Sequence, residues 1–137
     1  MIIGIGVDLV DIRRIEHLMT TFGDRFTHKV FTKDERAYAA SSPHPSRVFA
    51  NRFAAKEAAA KALGTGMRGG ISWQDIEISR TPAGAPTLYL HRKAYETLVS
   101  RITPGFTGCL HVSFSDEQPY STAFVVISEV AVKDVLP

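Results

Sequence analysis

The sequence has a single cysteine, Cys109, so an internal disulfide framework is excluded and a reducing compartment is expected. Cys109 stands at the head of an apparent strand, where a small buried thiol fits better than a nucleophile. The five histidines form no Cys/His cluster with zinc-like spacing. There is no G-x-S-x-G or comparable nucleophile elbow, so a covalent enzyme intermediate is not indicated. No apolar run approaches the ~18 residues needed to cross a bilayer, and no membrane partner is expected. The first residues, Met1-Ile2-Ile3-Gly4-Ile5, lack a basic leader and lead quickly to Asp8; a signal peptide is not expected, and the expected location is cytoplasmic. The net charge of +2 is too mild to signal nucleic acid by itself. Repeats, low-complexity tracts and linkers are also missing. What remains is a 137-residue chain, 45% hydrophobic and 22% charged, which reads as a single α+β domain over residues 1–137.

The chain is organised around Arg52-Phe53-Ala54-Ala55-Lys56-Glu57-Ala58-Ala59-Ala60-Lys61. This stretch holds no Gly, no Pro and no β-branched residue, so it is strongly helical. Phe53, Glu57 and Lys61 recur at i, i+4 and i+8 and share one face. The alanines leave little bulk, so another backbone can approach closely. Glu57 and Lys61 fit either a solvated pair worth ~0.3–0.5 kcal/mol or a site holding a cation beside an anion.

Ahead of this helix, Ile2 to Val10 is almost continuously apolar, which predicts a buried strand. Asp8 is out of place in such a strand and needs a partner. Gly4 and Gly6 would permit close approach of a backbone or ligand. Asp11 is placed to cap a helix carrying Ile12, Ile15, Leu18, Met19 and Phe22 on its inward stripe. Its other face carries Arg13, Arg14 and His17, and Arg25, His28 and Lys29 follow the Gly23-Asp24 turn. These cations read as a solvated face or as a docking surface for an acidic partner. Thr32 and Glu35 fit a capping box for a short helix ending near Ala40. The central helix is expected from about Ser46 to Gly64 and carries Arg47 and Arg52. The glycine-rich loop 64–70 follows a helix instead of preceding one, which argues against a P-loop.

Beyond the loop the pattern turns to strands at 75–78 and 87–90, a helix at 92–102 with Ala94, Tyr95, Leu98 and Ile102 inward, and a final hairpin turning at 115–119. His111 and Ser113 fall on one side of the first hairpin strand. His111 by itself reads equally as an edge or core histidine. Asp8 and Glu57 supply two oxygen ligands of the kind Mg²⁺ takes alongside waters and phosphates, and Lys61, Arg47 and Arg52 would neutralise those phosphates. Two other readings are a basic nucleic-acid module built on Arg13, Arg14, Arg25, Arg47 and Arg52, and a nucleotide pyrophosphate hydrolase. The first leaves Asp8 unexplained and has no stacking aromatics beside the arginines.

Three motifs together carry a family resemblance: Gly6-Val7-Asp8; Arg52 to Lys61 with Gly64-Thr65-Gly66; and His111-Val112-Ser113-Phe114-Ser115-Asp116-Glu117 with the strand after Tyr120. In order and spacing, from residue 4 to about 128, the chain resembles the bacterial holo-[acyl-carrier-protein] synthases, the short trimeric type of 4′-phosphopantetheinyl transferase. The resemblance implies a mainly antiparallel sheet packed against a long central helix. It implies transfer of 4′-phosphopantetheine from coenzyme A to a serine of apo acyl carrier protein, with release of adenosine 3′,5′-bisphosphate, in support of fatty acid biosynthesis. Asp8 and Glu57 would ligate Mg²⁺, with Glu57 and Lys61 catalytic. Lys61, Arg47, Arg52, Gly64, Gly66, His111 and Ser113 would line the coenzyme A site. Arg13, Arg14 and Arg25 would receive the acidic carrier protein, and active sites would lie between subunits of a homotrimer. Nucleic acid is not an implied partner. Some relatives place a histidine directly after the second serine of the His-x-Ser-x-Ser region; here Ser115 is followed by Asp116, so that histidine's catalytic role does not transfer.

Overall fold

The computed structural model describes residues 1–135. In chain order it contains β1 (Ile2–Asp11), α1 (Ile12–Phe22), α2 (Asp24–Val30), α3 (Lys33–Ala40), α4 (Pro45–Ala62), β2 (Ile76–Arg80), β3 (Pro86–Leu90), α5 (Arg92–Arg101), β4 (Phe106–Glu117) and β5 (Tyr120–Ala131). β1, β5 and β4 form an antiparallel sheet in that order, and β2 pairs with β3 in a second, two-stranded sheet. The fold is α+β, as the sequence predicts.

α4 is the centre of the packing. It is buried almost all round, which its alanines allow: Ala54, Ala55, Ala58, Ala59 and Ala60 are fully covered. Toward β1 the helix lies so close that a β-carbon on Gly6 would overlap the Ala58 carbonyl oxygen, and one on Gly4 would overlap that of Ala62. The glycines serve approach of a backbone, one of the two uses their sequence allowed. Away from the sheet, Phe26, Phe31, Phe49, Phe53 and Trp73 form a continuous aromatic cluster, with Phe53 stacked on Trp73 at 4.9 Å.

The same helix buries a charge pair. Lys56 Nζ lies 2.8 Å from Glu35 Oε1 with both side chains out of solvent. Lys56 also donates to the carbonyls of Trp73 and Ile76, while Glu35 accepts from the Thr32 and Ile78 amides. Burial pushes the Lys56 ammonium below its ordinary range, with the Glu35 carboxylate pulling the other way. Glu35 is thus more than the capping-box partner of Thr32, because it ties α3 to α4 and β2.

Several expectations from the sequence need correction. β1 is buried on one face only: Ile5, Val7 and Leu9 are 59%, 57% and 65% exposed, because among the described residues no layer covers the outer side of its sheet. Phe22 and Tyr95 lie outside the inward stripes, being 46% and 55% exposed. The basic segment after Gly23 is a helix, α2, and the hairpin strands run on to leave a turn at 118–119 alone. Cys109 sits within β4 and is half-buried. Replacing Gly6 with alanine is expected to push α4 off β1 and destabilise the protein by about 3 kcal/mol, read as a lowered midpoint in urea unfolding.

Candidate active site

Close packing of α4 on β1 brings Lys61 across the strand to Asp8. Lys61 Nζ donates to Asp8 Oδ1 at 3.1 Å and to the Val7 carbonyl at 3.0 Å. The Asp8 carboxylate is largely covered, and its backbone carbonyl accepts the Thr122 hydroxyl of β5 at 2.9 Å. Glu57 lies one turn before Lys61, half-buried, and makes no hydrogen bond or ion pair among the described residues. Its carboxyl is held above the usual range, first by burial and then by the neighbouring Asp8 carboxylate, against the opposing pull of Arg14 and Lys61. Two carboxylates therefore lie near each other, with Lys61 paired to Asp8 and Glu57 left without an ion pair among the described residues.

Two further clusters flank this one. At the start of α4, Arg47 Nε lies 3.5 Å from Asp116 Oδ1, and Asn51 Nδ2 donates to Asp116 Oδ2 at 3.1 Å. On another side of α4, Arg52 is 1% exposed with its guanidinium 4.4 Å over the Tyr38 ring, and its Nε and Nη1 have no hydrogen-bond partner. Burial, then the nearby Arg80, lowers its pKa. Arg52, Tyr38, Arg80, Tyr89 and His91 line a cavity of about 470 Å³. A buried guanidinium with two unpartnered nitrogens, beside a second arginine, has the chemistry of an anion site.

The remaining candidates are distributed unevenly. His111 and Ser113 are exposed on β4, and register sets them opposite Val126 and Phe124, which face Ile5 and Val7 across β5. Opposed residues share a sheet face, so both lie on the outer face, away from Asp8 and α4. One chain does not bring them together. The Gly64 and Gly66 amides donate to the Lys61 and Ala60 carbonyls, so this loop closes the helix and those donors are already used. Arg13 is paired with its own helix cap, Asp11, at 2.6 Å. Arg14 lies 5.5 Å over the Phe53 ring, toward the Glu57 side of α4. Arg25 and Lys29 rim a cavity of about 330 Å³ whose apolar wall is Leu18, Phe22 and Phe26.

Sequence reasoning missed Tyr38, Arg80, Asn51, Ser121 and the exposed Phe22. The i, i+4 spacing of Leu18 and Phe22 was the one available signal, and it reads equally as core. The raised Glu57 pKa has a checkable consequence. Stability is lost as pH rises from the unfolded value through the elevated folded one, because only the folded state resists ionisation. Glu57→Gln is therefore expected to raise the melting temperature of the metal-free protein at pH 7 and to leave it nearly unchanged at pH 4, read by calorimetry across pH.

The model of the 4′-phosphopantetheinyl transferase superfamily matches residues 4–123. Over 131 residues the chain is 50% identical to the holo-[acyl-carrier-protein] synthase of Caulobacter sp. (strain K31), covering 96% of this chain and 98% of that one. Its structure is similar to the holo-[acyl-carrier-protein] synthase of Neisseria meningitidis, with a TM-score of 0.81, 37% identity and coverage of 93% and 99% of the two chains. It is also similar to the Helicobacter pylori holo-[acyl-carrier-protein] synthase in complex with coenzyme A, with a TM-score of 0.77, 31% identity and coverage of 90% and 99%. The chain belongs to the 4′-phosphopantetheinyl transferase superfamily and is an enzyme of its holo-[acyl-carrier-protein] synthase branch.

Proposed function

We propose that the enzyme transfers 4′-phosphopantetheine from coenzyme A to a serine of apo acyl carrier protein, in the cytoplasm and in support of fatty acid biosynthesis. The observation that carries the reading is Glu57, a half-buried carboxylate beside Asp8 with no hydrogen-bonding partner and a raised pKa. Such a pair is short of a cation. Its hard oxygen donors suit Mg²⁺, whose shell is completed by phosphate and water oxygens, and among the described residues no set of three or more His, Cys, Asp or Glu would cage a metal unaided. Mg²⁺ held by Asp8 and Glu57 would neutralise charge on the pyrophosphate.

The chain's own groups supply the rest. The serine oxygen forms a bond to the phosphorus that carries pantetheine, and the bridging pyrophosphate bond breaks to release adenosine 3′,5′-bisphosphate. Glu57, or a water it orients, takes the serine proton. Lys61, now held by Asp8, meets the departing phosphate. Arg47 and Arg52 bind the nucleotide phosphates, and Gly64 and Gly66 shape the pocket wall instead of donating to it. Arg13, Arg14 and Arg25 attract the acidic carrier protein, whose apolar side seats against Leu18, Phe22 and Phe26.

The exposed apolar face of the three-stranded sheet, with Ile5, Val7, Leu9 and Phe124, supports a homotrimer in which a neighbour's His111 and Ser113 complete each coenzyme A site. Light scattering is expected to give a trimer for the native chain and monomers for Val7→Asp, with turnover lost on dissociation. A trimer retained in Val7→Asp would place the interface elsewhere.

The transfer itself is tested by incubating the enzyme with coenzyme A, Mg²⁺ and apo carrier protein. The carrier is expected to gain the mass of one phosphopantetheine, with turnover lowered about 10²–10³-fold by Lys61→Ala and the KM for carrier raised by Arg25→Glu. Coenzyme A consumed without carrier would replace transfer by pyrophosphate hydrolysis.

A further inference from the structure

Asp116 lies near the end of β4, and its surroundings give it a specific task. It faces α4 from β4, paired across the hairpin with Ser121. Ser121, 1% exposed, donates its hydroxyl to Asn51 Oδ1. That bond leaves the Asn51 amide nitrogen pointing the other way, where it donates to Asp116 Oδ2 at 3.1 Å. Asn51 is itself 6% exposed, so the relay from Ser121 through Asn51 to the carboxylate is sheltered from water. The second Asp116 oxygen lies 3.5 Å from Arg47 Nε, a buried atom with no hydrogen bond of its own.

Arg47 and Asn51 are one helical turn apart and share a face, so one carboxylate engages both. The nearest approach of the carboxylate to the guanidinium is at Nε. No hydrogen bond engages the Arg47 terminal nitrogens among the described residues, and the side chain is 39% exposed. A guanidinium held at one edge presents the other in a set orientation, and less rotamer freedom is lost when an anion arrives.

We propose that Asp116 is a positioning residue for coenzyme A binding: held by the Ser121–Asn51 relay, it orients Arg47 so that the free edge of the guanidinium meets a phosphate of the co-substrate. The inference rests on the coenzyme A reading of the site, so its test separates the two. Affinity for coenzyme A is measured by calorimetry on the native enzyme, Asp116→Asn, Arg47→Ala and the double variant. Asp116→Asn is expected to weaken binding about fivefold to twentyfold, the effect of one charge-assisted contact. In the Arg47→Ala background the same change is expected to do nothing beyond about 1.5-fold, because the residue it acts through is gone. In turnover, the KM for coenzyme A rises while kcat stays within about twofold. Ser121→Ala, which removes only the hydroxyl that orients Asn51, gives a smaller loss that also vanishes without Arg47, and it stands in if Asp116→Asn does not fold. Unchanged affinity in Asp116→Asn, or weakening that persists with Arg47 removed, overturns the inference. Native enzyme that binds coenzyme A and passes this cycle but transfers nothing overturns the transfer reading alone, and native enzyme that binds no coenzyme A overturns both.

Discussion

The contact between the backbones of α4 and β1 governs the rest of the molecule. Glycine at positions 4 and 6 removes the atoms that would strike the Ala62 and Ala58 carbonyls, and alanine on the helix removes the side chains that would hold the layers apart. Across this close contact Lys61 reaches both the Val7 carbonyl and Asp8. The small residues thus set the separation of the charged ones, and the crowding of Asp8 and Glu57 follows from it.

A helix so enclosed must satisfy its polar side chains internally, and α4 does this in different ways around its circumference. Lys56 is neutralised by Glu35 and two carbonyls, a complete coordination that leaves nothing for a ligand. Asn51 has its amide oxygen engaged by Ser121 and its amide nitrogen by Asp116. Arg52, Glu57 and Lys61 are less fully engaged: Arg52 has two buried nitrogens without partners, Glu57 has no hydrogen bond, and Lys61 remains half-exposed. Satisfied polar groups hold the frame, and the less satisfied ones are the candidates for binding.

The two faces of the main sheet divide the remaining work. The inner face carries Gly6, Asp8 and Val10 against α4, and the outer one carries Ile5, Val7, Phe124, His111 and Ser113. A strand apolar on both faces is the pattern of a sheet covered on both sides. The expectation of a buried strand over Ile2 to Val10 holds for the inner face alone, since Ile5, Val7 and Leu9 stay exposed.

The sequence by itself determined what depends on neighbours a turn or a strand pairing away. The central helix begins within one residue of its expected start, Asp11 and Thr32 cap as their spacing requires, and Glu57 and Lys61 share a face beside an out-of-place Asp8. Tertiary structure alone decided which distant groups meet: Asn51 with Ser121 and Asp116, Arg52 with Tyr38 and Arg80, Lys56 with Glu35. It also decided that His111 lies across the sheet from Asp8 and that the 64–66 loop spends its amides on closing the helix. Periodicity reports which way a side chain points along its own element. Which partner waits there depends on strand register and on how closely two layers pack, and both are set by the sum of contacts over the whole chain.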